Sequence, residues 1–345
     1  MGKFCVTVLY SVNKVKETVI KLRFLSKTKE EQIELSSRQL KILEKIQETC
    51  KNTSFVDGRT GKTQNCSKTY ILRSTEIVWI IGGKEMKVID LTEKYKQLYF
   101  VCLEDWCEEM KEAGNHKEIW YNKMKNKRLG VKLAVDDKGE VGGMIQYTPI
   151  EYSSVEGNAL YFINCIWVHG YKKGRGNFQK KGMGKALLRA AEVDAKTKKS
   201  KGMVAWGLCL PFWIKASWFK KQGYTKADKE GIQVLLWKPF SEDAIPPKWI
   251  KEKKKPETIP GKVTVTAFLN GWCSAQNILF ERAQKAALEF GNKVVFQEID
   301  TSNREVFLEW GIADALFIDN KQVRTGPPPS YEKIKKLIAK KVKKL

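Results

Sequence analysis

The spacing of apolar and polar positions changes several times along the chain, and each change predicts an element. The apolar run over 4–12, broken by Thr7, Tyr10 and Ser11, predicts a short strand. In a Lys/Glu-rich stretch over 30–49, Leu40, Ile42, Leu43 and Ile46 fall on one helical stripe that Ser36 or Ser37 can cap. A polar loop over 51–68 precedes an apolar strand at 75–81. From Met86 to about Phe240 the pattern gives strand or loop, helix, strand, strand, helix, strand, helix, strand, an α/β (α+β) arrangement. Residues 241–262 hold Pro246, Pro247, Pro256 and Pro260 among Lys251, Lys253, Lys254 and Lys255, a composition that resists helix and packs no core, and they read as a linker. Beyond it come a strand at 263–269, a helix at 274–290, a second strand at 294–299 and a terminal helix at 330–341 with Ile334, Leu337 and Ile338 facing inward. Four segments follow: 1–85, 86–240, 241–262 and 263–345, the last a smaller β-α-β-led domain.

Composition narrows the picture. With 42% hydrophobic and 11% aromatic residues the 345-residue chain can bury a core, so global disorder is excluded. No apolar stretch approaches the roughly 18 residues of a membrane helix. Met1-Gly2 opens like a myristoyl acceptor, but Val6 stands where that motif wants Ser or Thr. Lys plus Arg number 63 against 39 Asp plus Glu, a net charge of +24, which can attract nucleic acid, anionic membranes or phosphorylated cofactors. The excess is mostly lysine and reads as solvated surface; the region after 49 offers loop where a helix-turn-helix needs a second helix. Eight dispersed cysteines form no CxxC pair or zinc-ribbon spacing, so no metal site is expected and reduced thiols in a cytoplasm fit.

The sharpest chemical signal is the strand Phe162-Ile-Asn-Cys-Ile-Trp-Val168, a polar loop, then Gln179-Lys-Lys-Gly-Met-Gly-Lys185 opening a helix. Gly182 and Gly184 let the backbone approach a ligand closely, and amides at a helix N-terminus can face phosphate oxygens. Lys180, Lys181 and Lys185 add positive charge, while Leu187, Leu188 and Ala191 give the helix an apolar face. The glycine spacing matches neither a dinucleotide fingerprint nor a Walker loop.

Gln179-Lys-Lys-Gly-Met-Gly184 resembles the Q/R-x-x-G-x-G/A acetyl-CoA signature of the GNAT superfamily of N-acetyltransferases. Ala216-Ser-Trp-Phe-Lys-Lys-Gln-Gly-Tyr224 resembles that superfamily's following helix and its Gly-aromatic turn. The resemblance covers about Met86 to Phe240 and implies a mixed sheet flanked by helices. It implies that the turn, Gln179, Lys180, Lys181, Gly182, Met183, Gly184 and Lys185, grips the pyrophosphate of acetyl-CoA as co-substrate. Ile166, Trp167 and Val168 would line the pantetheine arm, with the Val168 amide polarising the acetyl carbonyl. Candidate bases are His169, after that strand, and Glu156, before it, directly or through ordered water. Phe219 occupies the usual place of a proton-donating tyrosine and has no proton to give, which leaves water, the thiolate, another residue or Tyr224 from an atypical position. Cys209, on the next strand, reads as a small buried hydrophobe; Trp206, Phe212, Trp213, Trp218 and Phe219 fit either an apolar or cationic substrate pocket or core packing, with Trp218 and Phe219 read as core.

In the last segment, the strand at 263–269, Asn270-Gly-Trp-Cys273 and a helix resemble the thioredoxin-like superfamily. Cys273 at a helix start is expected to have a lowered pKa, and Gln276 stands where a resolving cysteine would be. The combination resembles the YoaP-like acetyltransferases of bacteria. Three readings follow in order: acetyl transfer to a small-molecule or protein amine, CoA retention without turnover, and association with nucleic acid.

Overall fold

The computed structural model describes residues 86–345 except 211–213 and 324–325, and before them only the backbone of short strand segments. The chain divides into two compact units, Met1–Val88 with Val135–Gly139, and Ile89–Ala134 with Glu140–Leu345. In the first, antiparallel pairing orders the strands Leu22–Phe24, Val6–Val8, Thr69–Arg73, Glu76–Ile81 and Lys84–Asp90. The expected strands at 4–12 and 75–81 correspond to Val6–Val8 and Glu76–Ile81. Within the expected loop at 51–68, Phe55–Val56 pairs with Thr63–Gln64. The helix expected over 30–49 lies outside the described residues.

The second unit holds a mixed sheet flanked by helices. Its strands are β1 (Gly130–Val135), β2 (Val141–Pro149), β3 (Leu160–Val168), β4 (Gly202–Leu208), β5 (Thr225–Glu230) and β6 (Gln233–Pro239), in the order β5-β6-β4-β3-β2-β1. In this sheet β3 and β4 run parallel, and the helix α3 (Met183–Thr197) connects them. The stripe Leu187, Leu188, Ala191 and Ala195 lays α3 on one face, where the Tyr147 hydroxyl of β2 donates to Asp194 at 2.6 Å. Helices α1 (Lys96–Phe100) and α2 (His116–Met124) precede β1 in sequence, and the Tyr99 hydroxyl of α1 reaches Gln146 on the opposite face of β2, donating at 2.8 Å. With both faces covered, all nine residues of β2 are buried, which is why it shows no alternation of apolar and polar side chains. The short helix α4 (Ala216–Lys220) buries Phe219.

The C-terminal part is a four-stranded sheet built on β7 (Val263–Leu269), parallel to β8 (Val294–Asp300) and antiparallel to β9 (Ala315–Ile318), which pairs with β10 (Lys321–Gln322). Helices α5 (Ser274–Leu288), α6 (Arg304–Trp310) and α7 (Tyr331–Val342) complete it. Val263, Val265, Ala267 and Leu269 pack against Leu279, Ala283, Ala286, Ile334 and Ile338. Leu337, expected to face inward, is exposed beside buried Ile334 and Ile338.

The segment 241–262 is not the free linker its composition predicts. Lys248–Trp249 pairs with Val155–Glu156, the Trp249 amide donates to Asp228 Oδ2 at 3.0 Å, and the Trp249 ring meets Phe162 edge-on with centroids 6.5 Å apart. Further along, the Lys253 amide donates to the Trp310 carbonyl at 2.8 Å and the Lys254 ammonium sits 4.1 Å from the Trp310 ring centroid. The prolines exclude helix, but the amides and aromatic rings between them find partners on both sides. A direct contact also joins the two parts: the Arg282 guanidinium of α5 donates to Glu109 at 2.7 Å and to Glu112 at 2.8 Å.

Candidate functional site

Strands β3 and β4 run side by side for only three residues, Leu160–Gly202, Tyr161–Met203 and Phe162–Val204. Beyond them β4 continues on β6, while β3 continues on β2 alone, so the edge of β3 facing β4 is open from Ile163 onward. Burial follows the split: residues 160–164 are buried, and residues 165–168 are partly exposed. The indole of Trp206 bridges the opening at its base, donating to the Asn164 carbonyl at 3.1 Å.

A bulge controls which side chains enter this opening. Ile163 pairs with Tyr147 and Cys165 with Gln146, leaving Asn164 as an extra residue. One inserted residue reverses the parity of everything after it. Cys165 and Trp167 therefore share the Gln146 face with Tyr99, while Ile166 and Val168 share the α3 face. Asn164 is buried and its side-chain oxygen accepts from the Thr148 hydroxyl at 3.2 Å, which holds the bulge in place.

At the open end of β3 the chain reaches the glycine turn. Lys180 and Gly182 both adopt left-handed backbone, with φ of 61° and 84°. Gly182 caps α3 with no side-chain hydrogen bond, and the first bond of the helix runs from the Ala186 amide to the Gly182 carbonyl at 3.1 Å. The amides of Met183, Gly184 and Lys185 precede that bond and have no acceptor within the helix. A side chain built at Gly184 would start 3.4 Å from the Trp218 ring and 3.7 Å from Val168, so this turn lies against the open end of β3. Met183 itself is buried against Gly142, so its amide and not its side chain is available. Lys180, Lys181 and Lys185 are exposed, and the Lys181 ammonium lies 5.0 Å from the Phe178 ring centroid. The Gln179 amide nitrogen approaches the Val168 carbonyl at 3.5 Å, tying turn to strand. An uncapped helix start with left-handed glycine beside an unpaired strand edge fits a diphosphate joined to an amide-bearing arm.

Other expected site residues are elsewhere or occupied. His169 is fully buried: its Nε2 accepts the Trp106 indole N–H at 3.0 Å and its Nδ1 donates to the Gly176 carbonyl at 2.7 Å. Both ring nitrogens are used, so His169 braces the loop after β3 and is corrected from base to brace. Glu156 is exposed on the short strand Val155–Glu156, paired with Lys248 and lying before the far end of β3 from the glycine turn. Nine strand residues separate the two ends by about 25 Å, which removes Glu156 as a base. Tyr224 is buried, its ring 5.5 Å from Phe219, and its neighbour Glu192 lies three turns along α3 from the glycine turn. Packed away against Phe219 and Glu192, its buried hydroxyl is remote from the glycine turn, and burial, with the Glu192 charge behind it, also drives its pKa well up. Cys209 is exposed, contrary to its reading as a buried hydrophobe, and Phe212 and Trp213 lie outside the described residues.

The thiol of Cys273 also departs from expectation. It stands at the N-cap of α5, yet burial raises its pKa to about 12, with the Cys102 charge adding to the rise. Desolvation of the thiolate outweighs the helix dipole here.

Glu104 is a residue that motif reading missed. Only 7% exposed, it lies with Oε2 3.9 Å from His169 Nε2, beside the indoles of Trp167 and Trp106. Burial raises its carboxyl pKa above the usual range, and the His169 interaction opposes this only in part. The Trp167 indole nitrogen is buried without a hydrogen-bond partner, at the open end of β3. The bulge at Asn164 brings Trp167 onto the Glu104 side of the sheet.

Neither a protein-family model nor a curated protein matches the chain. Solved structures similar to it include a GNAT family acetyltransferase from Brucella melitensis in complex with acetyl-CoA, at 14% identity over 47% of this chain and 93% of that one, TM-score 0.34. The PaiA N-acetyltransferase from Thermoplasma acidophilum in complex with coenzyme A is similar at 17% identity over 45% and 99% of the two chains, TM-score 0.34. The GNAT family N-acetyltransferase YhbS from Escherichia coli in complex with CoA is similar at 10% identity over 45% and 82%, TM-score 0.33. Among the described residues no helix is long and apolar enough to cross a membrane.

Proposed function

We propose that the second unit is an acetyl-CoA-dependent N-acetyltransferase of GNAT type over residues 86–240, acting on an amine, with a thioredoxin-like accessory domain over 263–345 of the YoaP-like kind. The observation that carries this reading is the opening between β3 and β4 ending at an uncapped, glycine-started helix. The amides of Met183, Gly184 and Lys185, with the ammonium groups of Lys180, Lys181 and Lys185, would hold the diphosphate. The free edge of β3 at Ile166, Trp167 and Val168 would pair with the pantetheine amides, and an amide there would polarise the acetyl carbonyl. Acetyl-CoA, when bound, supplies the acetyl group as an activated thioester.

Glu104 takes the role of general base in this reading. A desolvated carboxyl with a raised pKa accepts a proton from an ammonium more readily than an ordinary carboxylate does. The reading assigns the activity to a cytoplasm, and the free thiols of the five described cysteines support it. A second reading, CoA retention without turnover, is favoured by Phe219 and Tyr224, neither of which offers a proton to a leaving thiolate.

Calorimetric titration with acetyl-CoA, followed by CoA release across an amine panel, tests both. Binding with release supports transfer, binding without release supports retention, and failure to bind removes both.

A further inference from the structure

The buried Lys117 ammonium has a thiol as its hydrogen-bond acceptor. Lys117 is 2% exposed, and among the described residues no carboxylate pairs with it. Its Nζ donates to Cys102 Sγ at 3.0 Å and lies 4.2 Å from the centroid of the Tyr99 ring. A buried ammonium without a counter-ion is costly, so this site favours an ionised Cys102. The Cys102 pKa is lowered, burial opposing and Lys117 with Ser274 prevailing. Cys102 is also held in left-handed backbone, φ 54°, followed by Leu103 at 64°. Two consecutive non-glycine residues in that conformation are an uncommon local geometry, fixed here by the packing around them.

The second thiol comes from the C-terminal part. Cys102 Sγ lies 3.2 Å from Ser274 Oγ, and the Ser274 hydroxyl reaches the Phe100 carbonyl at 3.2 Å, so the start of α5 is seated on the 99–102 segment. Cys273 immediately precedes Ser274, and the Cys102 charge acts on its thiol. Both cysteines keep partial solvent exposure. Cys165, brought to this face by the bulge, stands near both. Among the described residues no group of three or more His, Cys, Asp or Glu has metal-holding geometry, so a metal does not account for the cluster.

We infer that Cys102 and Cys273 form a two-electron redox site assembled from two parts of the chain, Cys102 being the attacking thiolate, Cys273 the resolving thiol, and a peroxide the oxidant. Gln276 removes the resolving cysteine from the Gly-Trp-Cys turn, and the chain supplies a partner from 171 residues earlier. In the first step the Cys102 thiolate attacks a peroxide oxygen, the O–O bond breaks, and the departing oxygen leaves after protonation as water from hydrogen peroxide or as an alcohol from an organic peroxide, giving a sulfenic acid. In the second the Cys273 sulfur displaces the hydroxyl from Cys102, the thiol proton and that hydroxyl leave as water, and the S–S bond forms. An external thiol reductant returns both to thiols. The inference does not depend on acetyl transfer.

The test treats the full-length reduced protein with hydrogen peroxide, alkylates the remaining thiols in denaturant and maps the peptides without reduction. A Cys102–Cys273 disulfide is expected as the main product. In Cys273→Ser, Cys102 is expected to be trapped by dimedone as a sulfenic acid, and Lys117→Gln is expected to slow loss of the Cys102 thiol about tenfold or more. Recovery of both thiols alkylated, while exposed Cys209 is oxidised, overturns the inference, as does a Cys102–Cys165 linkage. A folded Lys117→Gln protein that reacts at the original rate overturns the role of Lys117. Should that variant not fold, the dimedone result in Cys273→Ser decides whether Cys102 attacks.

Discussion

Trp106 and His169 are 63 residues apart, and the indole N–H of the first donates to Nε2 of the second at 3.0 Å. This bond, with the His169 Nδ1 bond to Gly176, fixes the loop that leads from β3 to the glycine turn. The Arg175 guanidinium reinforces it by pairing with Asp105 and Glu140 at 3.0 Å each. His169→Ala leaves a buried indole N–H and a backbone carbonyl unpaired, which costs about 2–3 kcal/mol of stability. Thermal unfolding is expected to move down, while the low-pH limb of the activity profile keeps its position. A low-pH limb that disappears in this variant would return His169 to the role of base.

Glu104→Gln keeps the shape of the side chain and removes its ability to accept a proton. The expected result is a fall in kcat of about 10²–10³-fold with little change in the KM for acetyl-CoA. Because burial raises the Glu104 pKa, the wild-type rate is expected to rise with pH through a value above the ordinary carboxylate range. The Gln variant is expected to lose that limb. Stopped assays of CoA release across pH check both expectations, and an unchanged kcat excludes Glu104.

The glycine turn separates backbone effects from charge effects. At Gly182, φ of 84° makes any side chain strained, and Gly182→Ala costs about 1–2 kcal/mol of stability. Gly184 sits within α3, where an added methyl meets Trp218 at an ordinary 3.4 Å, so Gly184→Ala holds stability within about 0.5 kcal/mol. Gly184→Glu places a carboxylate among the free amides and is expected to weaken acetyl-CoA binding at least about tenfold, or 1.4 kcal/mol. Equal affinity of Gly184→Glu and wild type by titration calorimetry would remove the diphosphate assignment.

What the sequence makes legible here follows from local physics. The strand, glycine turn and helix from Phe162 to Lys196 can be read because left-handed backbone at 182 and an apolar stripe on α3 each demand particular residue types. The β-α-β start of the C-terminal part is legible for the same reason. Asn164 carries no bulge signature, so the face on which Cys165 and Trp167 emerge cannot be counted from strand parity. Glu104, Cys102 and Lys117 lie in short helical turns without a motif, and only the fold brings them to β3 and α5. The fate of Cys273 shows the same limit: its helix-start position is visible in sequence, while the burial that reverses its pKa shift is a tertiary fact.

The pH dependence of stability has an identifiable contributor in Asp314, just before β9. Burial raises its carboxyl pKa to about 6, opposed by the Asn270 amide, which donates to Oδ1 at 2.9 Å. A carboxyl whose pKa is higher when folded binds its proton more tightly in the native state. Its contribution is therefore fully present below the unfolded value near 3.8 and is lost as pH rises through about 6. Two pKa units correspond to about 3 kcal/mol, so the difference is measurable by chemical denaturation. Carboxylates with lowered pKa, including Asp194 and Asp300, slope the other way, and the comparison must be with a variant at this one position. Asp314→Asn retains an acceptor oxygen for the Asn270 amide and cannot ionise. It is expected to be more stable than wild type at pH 7–8 and to converge with it near pH 4, whereas parallel curves across that window would show that Asp314 does not titrate between them.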